Sequence, residues 1–156
     1  MAEVAIRPAR AGDAGELLTL QRAAYVSEAQ LYGDPKLAPL TQTLEELRAE
    51  LAAGPALVAL DGARIIGSAR ARIADRTLHI GRIIVAPDRQ GRGVGTRLLT
   101  EIERLGVGAV DRFALFTGHL SLANIRLYER LGYREVRREP AGPGLVLVHL
   151  AKSAPA

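Results

Sequence analysis

The sequence predicts a single α/β domain, more closely α+β, with a mixed central sheet of about six to seven strands and about four flanking helices. Three observations lead there. Apolar residues switch repeatedly between strand-like and helix-like spacing along 156 residues, a length suited to one domain over 1–156. A run of strands around the turn pair Asp61-Gly62 occupies the middle of the chain. Beyond it, a turn holding three alternating glycines joins an apolar strand to an amphipathic helix.

In order, Val4 to Arg7 reads as a short strand. Asp13, as N-cap, with Glu16 three residues on, opens a helix carrying Leu17, Leu18 and Leu20. Tyr25 to Leu40 reads as less regular, because Gly33, Asp34, Pro35 and Pro39 interrupt it. Thr43 and Glu46 have capping-box spacing ahead of a stripe of Leu44, Leu47 and Leu51, and Gly54-Pro55 ends that helix. Ala56 to Leu60, Arg64 to Ile73 and Leu78 to Val85 form the meander. The next helix places Val94, Leu98, Leu99, Ile102 and Leu105 on one side and stops at Gly106 and Gly108. A strand Phe113 to Thr117, a helix ending at Gly132, and strands Tyr133 to Arg138 and Leu145 to His149 complete the chain.

Composition narrows the function. With 48% hydrophobic residues a core is feasible, and folding at this length buries about two thirds of the extended surface. No run of 18 apolar residues and no basic segment followed by an apolar stretch occurs, so the expected setting is cytoplasmic, without a membrane. Cysteine is absent, which removes disulfides, thiolate metal sites and cysteine nucleophiles. Net charge is +4, but the arginines are interspersed with 17 acidic residues and aromatics make up 4%, so no nucleic-acid platform is evident.

The segment Val85-Ala86-Pro87-Asp88-Arg89-Gln90-Gly91-Arg92-Gly93-Val94-Gly95 is built to receive an anion. Its glycines let a ligand approach the main chain, while the unpaired first-turn amides and the dipole of the helix favour negative charge. It is not a P-loop, because no lysine follows and the chain contains only Lys36 and Lys152. It is not a dinucleotide fingerprint either, since Leu98 stands where the third glycine would be. Arg82, Arg89, Arg92 and Arg97 can add positive potential there, or simply form a solvated surface.

The pattern Val-x-Pro-x-x-Gln-Gly-x-Gly-x-Gly, continuing into Thr96-Arg97-Leu98-Leu99, resembles the acetyl-CoA loop of the GNAT superfamily of N-acetyltransferases (85–96). A second segment, Ser121-Leu122-Ala123-Asn124-Ile125-Arg126-Leu127-Tyr128-Glu129-Arg130-Leu131-Gly132-Tyr133, resembles the later helix of that superfamily (121–133). The two occur in the family's order, and together cover roughly 77–137.

The resemblance implies acetyl-CoA as co-substrate, no metal, and a fold whose fourth and fifth strands are parallel but splayed. The cofactor arm would enter that gap, with Ile83 and Val85 offering main-chain groups and Gln90, Gly91, Arg92, Gly93, Val94, Gly95 and Thr96 holding the phosphates. It also implies transfer of an acetyl group to a primary amine of a small molecule, peptide or protein, by direct attack in a ternary complex. The Val85 N–H is the expected oxyanion donor. Tyr128 would protonate the departing thiolate, since a phenol of pKa near 10 is protonated at neutral pH; otherwise it is a core tyrosine. Asn124, one turn earlier on the same face, would bond the arm. Ser121 stands where many relatives have asparagine, and also reads as an N-cap.

A common family glutamate on the strand before the loop is replaced by Gly81. His79 and His119 are candidate bases, His149 a weaker one, and solvent can also take the amine's proton. Tyr25, Glu28, Tyr32 and Asp34 are candidates for the amine site, or a solvated loop. Self-association is frequent in the superfamily, so a homodimer is compatible with this reading. The alternative function is a non-catalytic acyl-CoA sensor or regulatory module of the same fold.

Overall fold

The computed structural model describes residues 3–156, and its seven strands form one sheet. The strands are β1 (Ala5–Pro8), β2 (Ala56–Asp61), β3 (Arg64–Ala74), β4 (Thr77–Val85), β5 (Arg112–Gly118), β6 (Arg134–Pro140) and β7 (Val146–Ser153). Their order across the sheet is β1-β2-β3-β4-β5-β7-β6. Every neighbouring pair is antiparallel except β4 and β5, which run parallel.

Six helices surround the sheet among the described residues: α1 (Ala14–Ala24), α2 (Val26–Tyr32), α3 (Ala38–Thr41), α4 (Leu44–Ala53), α5 (Val94–Arg104) and α6 (Leu122–Arg130). Two of these correct the sequence reading. The stretch expected to be irregular contains α2 and the one-turn α3, because residues 26–32 hold no breaker and Gly33 closes α2 in a left-handed conformation at φ 63°. The Thr43 capping box forms as expected, with Glu46 N donating to Thr43 Oγ1 and Thr43 N to Glu46 Oε1. Asp13 does not cap α1 with its side chain. It accepts instead from Arg10 N at 2.7 Å and pairs with Arg7.

Alternation along β3 places helices on both faces. Gly67 lies under α5 so closely that a Cβ there would be 2.9 Å from Leu98 Cδ1 and 3.1 Å from Val94 Cγ1. Three residues on, and so on the opposite face, Arg70 Nη2 meets Gln21 of α1 at 2.9 Å. The stripe of α5, Val94, Leu98, Leu99 and Ile102, is buried against β2, β3 and β4, each large side chain contributing about 1.5–3 kcal/mol. On the α1 face a polar network is buried: Gln21 Nε2 donates to Pro39 O and Gln42 Oε1, and Arg70 reaches Glu50 at 3.1 Å. No described helix is long and apolar enough to cross a membrane.

Candidate active site

Strands β4 and β5 pair only at Thr77–Arg112, Leu78–Phe113 and His79–Ala114. Beyond these pairs they part. The cause on the β4 side is a bulge: Ser68 faces Ile84 and Arg70 faces Gly81, so β4 carries one residue more than β3 over this interval. Arg82 absorbs the extra residue with a left-handed φ of 50°.

Past the bulge, Ala86 N donates to Ile66 O at 2.8 Å, so Ala86 and Ile66 are a hydrogen-bonded pair. Alternation of an antiparallel ladder then makes Gly67–Val85 a non-bonded pair, turning the Val85 N–H and C=O away from β3 and into the gap. The side chain of Gln90 reaches that carbonyl only weakly, at 3.5 Å.

A cavity of about 870 Å³ fills the gap, lined by both splayed strands. At one end it meets the glycine turn. Gly91 and Gly93 have φ values of 77° and 79°, a region that favours glycine, and Gly93 is the N-cap of α5. Gln90, Gly91, Gly93, Val94, Gly95 and Thr96 all border the cavity, and α5 starts there with its first-turn amides unpaired by the helix. The exposed Arg92 does not line it. Two neighbouring arginines are already engaged, Arg89 with Asp61 and Arg97 with the Val4 carbonyl at 2.8 Å.

Midway, Ile83, Val85, Asn124 and Tyr128 line the walls. Asn124 Nδ2 lies 3.5 Å from Thr117 Oγ1, a loose contact that leaves its amide able to turn to a ligand. The Tyr128 side chain is buried, and burial, with Tyr25 and Glu28 nearby, raises its pKa well above the ordinary phenol value. It is therefore a proton donor across the whole neutral range.

At the other end stand Tyr25, Glu28 and Tyr32 of the α1–α2 region. Here Ser121 corrects its expected role. It occupies the N-cap position of α6 without a side-chain cap bond, and Ser121 Oγ donates instead to Glu28 Oε2 at 2.8 Å. Since that hydroxyl has one proton, Tyr32 O–H must donate to Ser121 Oγ, also at 2.8 Å, while Tyr32 oxygen accepts from Leu120 N at 3.0 Å. Three donors thus point in series toward the Glu28 carboxylate. Gly118 permits this, because a Cβ there would lie 2.0 Å from Tyr32 oxygen. Asp34 is not part of it and accepts from Lys36 N.

The candidate bases fall away from the cavity. His79 sits where β4 and β5 are still paired and borders no part of it; burial, then Arg72 and Arg112, lower its pKa. His119 Nδ1 accepts from Val146 N at 3.1 Å, so the neutral ring carries its proton on Nε2 and has no free lone pair for a base. His149 is bonded to Glu139 at 2.6 Å. At Gly81 an added Cβ would touch nothing within 4 Å, so the position of the expected glutamate is empty space.

A parallel strand pair opened by a bulge, with amides at a helix start on one side and a buried phenol on the other, defines an acyl-CoA-dependent transferase. The chain belongs to the acetyltransferase (GNAT) family, whose model matches residues 19–133. It is an N-acetyltransferase that moves an acetyl group from acetyl-CoA to an amine. The fold is similar to that of a GNAT-family acetyltransferase from Streptococcus pneumoniae, at 19% identity and a TM-score of 0.80, covering 98% of this chain and 100% of that one. It is similar also to YncA, a putative acetyltransferase from Salmonella typhimurium solved with acetyl-CoA, at 19% identity and TM-score 0.78, over 99% and 96% of the two chains. A third similar fold is the PaiA N-acetyltransferase of Thermoplasma acidophilum in complex with coenzyme A, at 16% identity and TM-score 0.80, over 94% and 98%. No curated protein matches the chain.

Proposed function

We propose that this chain acetylates a primary amine of a small molecule, peptide or protein by direct attack within a ternary complex, in the cytoplasm and without an acyl-enzyme. One observation carries the reading: a single cavity connects the glycine turn, the β4–β5 gap, Tyr128 and the Glu28 carboxylate. Its residues fit acetyl-CoA, because the positive-φ glycines and the start of α5 offer amides to phosphates and the gap offers the unpaired main-chain groups of Val85 to an extended arm.

Acetyl-CoA supplies the activated thioester. The Val85 N–H, fixed by the ladder, stabilises the oxyanion at no reorganisation cost. Tyr128 donates its proton to the sulfur as the thiolate departs. Glu28, held by Ser121, attracts the amine, and the amine reaches its neutral form by losing a proton to solvent. His79, His119 and His149, the candidate bases, are left outside this account. Thiol release from acetyl-CoA against a pooled amine panel, with calorimetric titration of acetyl-CoA, CoA and ATP, tests the reading. Saturable acetyl-CoA binding with amine-dependent release supports it, whereas binding without release by any pool favours a sensor.

A further inference from the structure

One arginine at the acceptor end of the cavity, Arg82, has no carboxylate partner among the described residues, and a second, Arg70, lies behind it. Arg82 lines the cavity, its Nε is buried without a hydrogen-bond partner, and no ion pair among the described residues involves it. Arg70 lies beside it: it faces Gly81, the residue before Arg82, across the β3–β4 ladder. Only 6% of Arg70 is exposed, and its Nη1 is likewise buried without a partner.

Glu50 pairs with Arg70 at 3.1 Å and also accepts from Gln42 Nε2 at 2.7 Å, so the charge left without a counter-ion is that of Arg82. The Glu28 carboxylate is turned to Ser121. Both guanidinium groups act on the Tyr25 phenol, whose pKa is raised by burial and partly pulled back by Arg82 and Arg70. Buried N–H donors without acceptors are costly, and those of a cation more so, unless a ligand completes them. The bulge that opens the gap is also what aims this region of β4, since Arg82 holds a left-handed φ that an arginine rarely adopts.

The cofactor does not account for the charge. Its phosphates belong at the glycine turn, where the α5 amides are, whereas Arg82 stands with Tyr25. Resting on the acetyltransferase reading, we propose that the acceptor amine carries an oxyanion, a carboxylate or a phosphate, bound by the Arg82 guanidinium with Arg70 behind it. Glu28 and Arg82 then hold the two ends of a zwitterionic acceptor. A guanidinium fork matches either oxyanion bidentately.

The test compares matched acceptors by kcat/KM in the thiol-release assay: free amino acids against their carboxamides, and phosphoethanolamine against ethanolamine. The anionic member of at least one series should be preferred by about tenfold or more, and the series that shows it identifies the oxyanion. Arg82→Gln should collapse that ratio while the acetyl-CoA Kd from calorimetry stays within about twofold; should the variant fail to fold, the wild-type ratio alone decides. Neutral amines accepted as well as or better than their anionic partners overturn the proposal and leave the acetyltransferase reading standing. So does turnover of neither series, or an Arg82→Gln defect that appears in acetyl-CoA binding. Absence of acetyl-CoA binding in the wild type removes both.

Discussion

Tyr128 is buried at the cavity wall, with a hydroxyl that burial keeps protonated. Tyr128→Phe is expected to leave acetyl-CoA affinity unchanged in calorimetry and to lower kcat by at least about tenfold. Because the phenol's pKa lies above its usual value near 10, the wild-type pH–rate profile should show no alkaline decline up to about that pH. Its rising limb should follow the pKa of whichever amine is supplied. The double substitution of His79 and His119 by Gln should leave that limb in place; a displaced limb would return one of them to the mechanism. At this scale Tyr128 and Asn124 were legible as a motif on one helix face. The role of Ser121 was not, because it depends on Tyr32 and Glu28, which lie 89 and 93 residues away in the chain. Arg82 was read only as one of several basic residues near the loop, since nothing in a run of apolar strand residues announces a bulge.

Among the elements, the glycine turn offers a contrast between two glycines. Gly93 has φ 79°, so Gly93→Ala should strain the start of α5, destabilise the fold by about 1–2 kcal/mol and weaken acetyl-CoA binding. Gly95 lies inside α5, and a Cβ there would meet Val85 Cγ2 at an ordinary 3.7 Å. Gly95→Ala should therefore leave the melting temperature unchanged or raise it, and any loss of acetyl-CoA affinity would report the ligand's own close approach. The turn is anchored from β3 by Arg64, which pairs with Asp88 at 2.8 Å and lowers its pKa to about 2. A depressed carboxylate contributes stability above its unfolded pKa of about 3.9, and the contribution is lost as pH falls through about 2. Asp88→Asn should flatten part of the stability loss between these values in acid unfolding curves, by a small amount because both side chains are exposed. The capping box at Thr43 and the Asp61-Gly62 turn were legible because their signals are local. Helix α2 was hidden by the breakers that follow it. The place of the β3–β4 turn was legible between Ile73 and Leu78, but its conformation was not, because Asp75 and Arg76 adopt φ values of 51° and 54° without the glycine such turns usually show.

For the whole molecule, the order of elements was readable from periodicity, whereas the gap in the sheet was reachable only through resemblance to a family. Its physical origin is now visible: three β4–β5 pairs, then a bulge that frees the outer half of β4. In the reading proposed above, this gap receives acetyl-CoA, and the cavity in it has the start of α5 at one end and residues of α2 at the other. The most direct test is amide hydrogen exchange, followed by NMR, with and without acetyl-CoA. The account predicts that the Val85 amide and the first-turn amides of α5 become strongly protected on binding, while the paired β4 residues Thr77 to His79 change little. Unchanged exchange at Val85 under saturating acetyl-CoA would contradict it.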